Sequence, residues 1–338
     1  MPIDIVLDAM GSDKAPEPEI RGAILASRLM DVRVHLVGPE ELLRPKLREA
    51  IRLYSRGVRP SVFLVQASEW ISMDDKAALA VRSKRDSSMR VGLKMVREGR
   101  AAGFVTAGNT GAAMATAKMV LGSLSGIDRP ALATSLPTTT GEPCVLLDVG
   151  ANVDSDPENL VQFAVMGHVF AKNVLHRAHP RVGLLSIGEE DGKGNSLTRD
   201  TLPLLRDLKG INFIGNVEGR DLFNGHCDVV VCDGFVGNVA LKTCEGTAKL
   251  LSVSLKESLK STVTSQVGAL LSRKAFGAFK KRLDYSEYGG AQLLGVRGAC
   301  IVGHGSSNER AIMNGIRVAV EFAQAEVNSG IEAALAAR

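Results

Sequence analysis

Apolar runs of strand length alternate with longer amphipathic segments along most of the chain. Residues 3–7, 32–37, 62–65, 103–106, 145–149, 182–187, 213–214 and 229–232 read as strands. Between most of them, residues 16–30, 40–53, 160–175 and 197–208 carry apolar positions at helical spacing. This alternation predicts an α/β fold with a largely parallel sheet covered by helices on both faces. No internal repeat or low-complexity tract interrupts it. The chain reads as a single α/β unit over 1–338; the turn-rich stretch LPTTTGEP, 136–143, is either a subdomain break or a hairpin loop.

In such folds ligands bind outside the carboxyl ends of the strands, so the residues following each strand carry the functional information. The first strand is followed by Asp8, Gly11 and Asp13, and the strand at 103–106 by Gly108, Asn109, Thr110 and Gly111. Later strand ends supply Asp148, Gly150, Asn152 and Asp154; then Glu189, Glu190, Lys193 and Asn195; then Asn216, Glu218 and Arg220; and finally Asp233, Gly234 and Asn238. One such turn is ordinary turn chemistry. Six of them predict a shared polar cleft. The Gly108–Gly111 junction is the sharpest case: glycine lets backbone amides approach a ligand, and the unpaired N–H groups of a helix start favour an anion. The alternative is a plain capped turn with Asn109 or Thr110 as N-cap.

Composition narrows the chemistry. The 338 residues are 45% hydrophobic and 23% charged, as in an ordinary globular protein, with a formal net charge of only +4. Thirty-five glycines against three tyrosines and one tryptophan suit tight strand-to-helix turns and argue against a stacking surface for nucleic acid. The five cysteines form no C-x-x-C pair, so reduced, buried thiols are expected. Asp4 and Asp8 stand where a signal peptide would need an apolar core, and no apolar run approaches a membrane span, which predicts a cytoplasmic chain. GHGSS lacks a nucleophile-elbow context, Walker A is missing, and neither GNTGAA nor DAMGSD fits G-x-G-x-x-G. Carboxylates interspersed with Asn and Gly argue against a divalent metal. What remains, amide-rich loops with asparagines and a lysine, suits binding an anion and stabilising an oxyanion.

Residues 254–283 differ from the rest. Leu255, Leu259, Val263, Val267 and Leu271 recur every fourth position, followed by Phe276 and Phe279, and seven basic residues face Glu257 alone. Such a basic amphipathic hairpin can lie on an anionic lipid surface, but from the residues alone the preferred reading is a stripe packed in an interface or core with a solvated basic face.

The motifs LDAMGSD, TAGNTGA, LLDVGANVD, IGEEDGKGN, GNVEGRD, CDGFVGNVALKTCEGTA, DYSEYGGAQLLG and GHGSSNERAI run in order from residue 7 to 312. As an ordered set they resemble the PlsX family of phosphate acyltransferases; Ser12 and Ser186 stand where that family commonly carries Gly and Asn. The resemblance implies a fold related to isocitrate dehydrogenase and phosphotransacetylase, no cofactor and no metal. It implies transfer of a long-chain acyl group from acyl carrier protein to inorganic phosphate, giving acyl phosphate for phosphatidic acid. Implied partners are acyl carrier protein, a second copy of the chain, a membrane surface met peripherally through the projecting 254–283 hairpin, and a downstream membrane glycerol-3-phosphate acyltransferase.

On that reading, the Gly108–Gly111 helix start with Asn109 and Thr110 holds phosphate and Lys193 adds charge. Asn195, Asn216 and Asn238 are candidates for stabilising the oxyanion, and Asp233 or His304 for moving a proton. Asp8, Gly11, Asp148 and Glu218 complete the expected substrate-binding set. Simpler readings stay open: Lys193 as a solvated loop residue, Asp233 as a helix cap, His304 as a turn residue, and Asp8 and Asp148 as holders of loop amides. So do other functions, namely phosphotransacetylase-like transfer with coenzyme A, a dehydrogenase of related fold, and a non-catalytic membrane scaffold.

Overall fold

The computed structural model describes residues 2–55, 57, 59–283 and 289–338, with 280–283 described as backbone only. Eleven strands are found among them: β1 (Ile3–Asp8), β2 (Val32–Gly38), β3 (Val62–Gln66), β4 (Gly103–Thr106), β5 (Ala131–Leu136), β6 (Cys144–Leu147), β7 (Arg181–Leu185), β8 (Asn212–Val217), β9 (Val229–Val231), β10 (Ala291–Leu294) and β11 (Ala299–Val302). The helices are α1 (Glu17–Leu29), α2 (Glu40–Tyr54), α3 (Ala77–Ser83), α4 (Ser88–Arg97), α5 (Thr110–Leu121), α6 (Pro157–Asn173), α7 (Ser196–Asp207), α8 (Asp221–Asn224), α9 (Gly234–Lys260), α10 (Val263–Leu271), α11 (Arg273–Leu283), α12 (Glu309–Gln324) and α13 (Val327–Ala336).

All eleven strands form one sheet in the order β3-β2-β1-β4-β11-β10-β5-β6-β9-β7-β8. Alternation along each strand sorts side chains to the two faces. Val6, Phe104, Leu132, Leu146 and Val230 lie in one core that runs across the sheet under α3, α4 and α5. On the other face, Ile5, Leu7, Val34 and Ile301 pack beneath α1 and α12, and Val145, Leu147, Val182 and Val229 beneath α6 and α13. The packing is close: a Cβ on Gly22 of α1 would fall 2.6 Å from Ile312 of α12. Helix α6, buried along most of its length, begins with a capping box in which Asp156 accepts the Asn159 N–H and the Asn159 side chain accepts the Asp156 N–H, with Pro157 in the first turn.

The sheet is parallel except at its centre. β10 pairs antiparallel with both β11 and β5, and β5 pairs antiparallel with β6 through the 137–143 connection, with Leu136 opposite Cys144. These three reversals split the polarity. β3, β2, β1, β4 and β11 run one way, and β6, β9, β7 and β8 the other. The six polar strand ends therefore do not share one edge of the sheet, as the sequence pattern suggested. Those of β1 and β4 lie at one edge, and those of β6, β7, β8 and β9 at the opposite one.

Only the start of α9 is seated in the body, through buried Gly234 and Gly237. Beyond it, α10 packs on α9 and α11 on α10. The four-residue stripe is half-buried at Leu255 and Leu259 and open at the far end, where Val263, Leu270 and Leu271 are 77%, 70% and 82% exposed. Lys280, Lys281 and Arg282, counted above in the basic flank, have side chains outside the described residues. No helix among the described residues is long and apolar enough to cross a membrane.

Candidate active site

A cavity of about 1100 Å³ lies along β5 and reaches from the ends of β1 and β4 to the loops after β6 and β9. Its floor is Leu132, Thr134 and Leu136, three alternate residues of one strand face. At one end stand Gly108, Thr110 and Gly111 at the start of α5, with Asp13, Gly303 and His304. At the other stand Val149, Gly150 and Asn238. Leu241, Ala248 and Leu251 of α9 and Phe279 of α11 wall it on the side of the projecting helices.

The start of α5 is held with care. Asn109 is the N-cap: its Oδ1 accepts the Ala112 N–H at 3.0 Å, and its Nδ2 donates to the carbonyls of Met73 and Asp75, each at 3.2 Å. Thr110 and Gly111, whose amides a first helical turn cannot pair internally, line the cavity. Behind them, Asp8 accepts the Thr106 hydroxyl at 2.8 Å, and Thr106 Oγ1 in turn accepts the Gly108 N–H at 3.0 Å. Gly11 lies against this turn, since a Cβ there would sit 2.8 Å from the Gly108 nitrogen. Across the same end, Gly303 donates its N–H to Thr106 O (2.7 Å) and Asp13 to Gly305 O (2.8 Å). His304 Nδ1 receives the Ser306 N–H at 3.1 Å and lies 2.8 Å from the Ser306 hydroxyl.

At the opposite end Asp148 is fully buried and accepts five N–H groups: those of Leu132 (2.9 Å), Gly150 (3.2 Å), Ala151 (3.0 Å) and Asn152 (2.7 Å), and the Asn152 side-chain amide (3.0 Å). It shapes the loop that presents Gly150 beside Asn238 and does not itself line the cavity. Asp233 caps α9 by accepting the Val236 N–H at 2.9 Å.

Of the residues singled out from sequence, the cavity brings together Asp13, Gly108, Thr110, Gly111, Gly150, Asn238 and His304. Asn109, Asp8, Gly11, Asp148 and Asp233 stand behind its lining as hydrogen-bonding and packing supports. Lys193, Asn195, Asn216 and Glu218 form a separate group outside the lining, at the ends of β7 and β8. There, Asn195 caps α7 through the Thr198 N–H (2.9 Å), and Asn216 Nδ2 ties the loop at Glu190 O (3.1 Å). Glu218 pairs with Arg220, and Lys193 packs its stem over Gly188. Sequence reading missed the floor strand β5, Met73 and Phe223. The available signal for β5 was the run ALATSL just before LPTTTGEP.

The cavity holds one thiol, Cys244, whose pKa is raised by burial. Burial likewise pushes up the thiols of Cys144, Cys232 and Cys300, all unpaired and buried. Such groups are protonated at neutral pH and make poor nucleophiles.

Fold and cavity together define an α/β protein in which a helix start opens onto a largely apolar chamber. Residues 3–330 match the family described as fatty acid synthesis protein. The phosphate acyltransferase of Acidobacterium capsulatum is 69% identical over 334 residues, covering 99% of this chain and 97% of that protein. That of Koribacter versatilis is 62% identical, covering 100% and 94%. The chain belongs to this family, the PlsX-type phosphate acyltransferases, and is an acyltransferase. Among solved structures it shares its fold with a phosphotransacetylase from Streptococcus pyogenes (TM-score 0.60, 17% identity, 96% of this chain and 94% of that one). A branched-chain phosphotransacylase from Enterococcus faecalis is also similar (TM-score 0.55, 14% identity, 94% and 98%).

Proposed function

We propose that the protein transfers a long-chain fatty acyl group from the thioester of acyl carrier protein to inorganic phosphate, and that the acyl phosphate feeds phosphatidic acid synthesis. One observation carries this reading. A single cavity is lined by the first residues of a helix, Thr110 and Gly111, at one end and by an apolar wall along its length, which suit phosphate and an acyl chain.

Phosphate at the Gly108–Gly111 turn is already nucleophilic and requires placement more than activation. One of its oxygens attacks the thioester carbonyl carbon. The carbonyl π electrons move to oxygen, and Asn238, which lines the same cavity beside Gly150, is the candidate donor to the oxyanion. Collapse breaks the C–S bond and releases the carrier thiolate; with a reference pKa near 8.5 the sulfur leaves readily and takes a proton from phosphate or through His304. The raised pKa of Cys244 favours this direct route over an acyl-cysteine intermediate. Lys193 and Asn195, outside the cavity lining, enter this reading only as a charge and a cap at the neighbouring loop.

The decisive assay mixes protein, palmitoyl–acyl carrier protein and phosphate, and traps acyl phosphate with hydroxylamine. Product is expected to require phosphate, and Asn238→Ala to lower kcat by about 100-fold. A loss under threefold would remove Asn238 from the oxyanion role. Turnover with acyl coenzyme A alone would transfer the reading to a phosphotransacetylase-like reaction.

The same reading places the protein in the cytoplasm as a homodimer, touching the membrane that holds the glycerol-3-phosphate acyltransferase. Its supports are the exposed Val263, Leu270 and Leu271 beside Lys256, Lys260, Arg273 and Lys274. The protein is expected to float with vesicles containing phosphatidylglycerol, and the double change Leu270→Glu, Leu271→Glu to release it. Equal flotation of the two would rule out this surface.

A further inference from the structure

Below the anion end of the cavity lies a buried polar group that the reaction does not use. Glu19, in the first turn of α1, has no exposed surface, and its helix neighbours Ile20, Ala23 and Ile24 are apolar core. Its Oε1 accepts the Ser12 N–H at 2.9 Å. Its Oε2 has no hydrogen-bond partner among the described residues, and the Ser12 hydroxyl beside it, also buried, forms none of good geometry. A carboxyl in such a place is costly, and the amide of Ser12 is what offsets the cost.

That amide belongs to the loop that borders the cavity. Met10 is held by Asp8, which accepts its N–H at 3.1 Å, and Asp13 is held by Gly305. Gly11 rests on the Gly108 turn in van der Waals closeness, and Asp13 lines the cavity beside Gly305. Ser12 is the link between these two, and Glu19 is the group that fixes its nitrogen.

We propose that Glu19 is a positioning residue for the anion end of the cavity: by holding the Ser12 amide it seats Gly11 on the Gly108 turn and Asp13 on Gly305. Phosphate binding then depends on a side chain that phosphate never touches. This rests on the phosphate acyltransferase reading of the cavity, and names a determinant within it.

The test compares Glu19→Leu, which keeps an apolar fill but has no acceptor, with Glu19→Gln, which keeps the acceptor. In Glu19→Leu the KM for phosphate is expected to rise about tenfold, one lost hydrogen bond's worth, with kcat and the KM for the acyl donor within about twofold. Glu19→Gln is expected to restore the phosphate KM to within about twofold. Amide hydrogen exchange gives a readout independent of turnover: residues 10–13 and 108–111 exchange faster in Glu19→Leu, while α6 keeps its protection. Wild-type phosphate KM and exchange in Glu19→Leu would overturn the proposal, as would an equal KM rise in Glu19→Gln. Faster exchange at those loops in a protein that makes no acyl phosphate, wild type included, would uphold the positioning and discard the reaction.

Discussion

Gly237→Ala is expected to destabilise the protein by about 3 kcal/mol or more, lowering the melting temperature by roughly 4 °C or more, and to abolish acyl transfer. A Cβ at this position would fall 1.9 Å from the carbonyl oxygen of Asp148, well inside contact distance. The oxygen has no room to retreat. Asp148 is held from its side chain by five N–H donors, its own N–H donates to Cys232 O at 3.1 Å, and Cys232 N–H donates to Leu147 O at 2.8 Å. Nor can α9 shift locally, because Gly234 in the same turn is also closely packed, with a Cβ there 2.6 Å from Asn152 O. The helix must back away from the sheet and carry Asn238 out of the cavity. Gly246, nine residues further along α9, has open space where a Cβ would stand. Gly246→Ala should therefore stabilise the helix by about 1 kcal/mol. Opposite signs from one substitution in one helix, read by thermal unfolding, separate close packing from helix propensity; a mild effect at Gly237 would mean that the Asp148 loop yields.

The same region shows what the sequence could reveal. Helix-length patterns located α1, α2, α6 and α7 to within a few residues, because their apolar faces have a period; α6 and α7 also carry side-chain caps, Asp156 and Asn195. Strands β10 and β11 were passed over: each is four residues long, and Gly289, Gly290, Gly295 and Gly298 surround them. Strand polarity was beyond reach for a different reason. An apolar run looks the same whether its neighbour is parallel or antiparallel, and the reversal at β5 and β10 depends on pairing Ala131–Ala133 with Leu294–Gln292, far apart in the chain. The candidate site suffered from the same degeneracy. Gly with Asn or Asp after a strand marks a tight turn whether it lines the cavity, as at Gly108, or closes a separate loop, as at Asn216. The floor of the cavity gave no such mark, since Thr134 and Leu136 are ordinary strand residues whose role comes only from α9 lying across them.

A second large effect concerns pH. Burial pushes Glu19 up from its ordinary 4.5 to about 7, aided by the negative charge of neighbouring Asp8, which burial also raises. Below pH 4.5 folded and unfolded chains both hold this proton, and the group is neutral toward stability. Between 4.5 and 7 the unfolded chain releases it while the folded chain keeps it, so stability falls as pH rises, by about 1.4 kcal/mol per unit. Above 7 both states are ionised and the loss levels off. From pH 5 to pH 8 the wild-type protein is expected to lose about 2.5 kcal/mol through this residue, a loss that Glu19→Gln cannot show. Urea unfolding of both proteins at the two pH values isolates the effect as a difference of differences, with Asp8 present in each. The stability of Glu19→Gln relative to wild type should grow by that amount. A constant difference would mean that Glu19 is already ionised at pH 5, with its charge carried by the Ser12 amide.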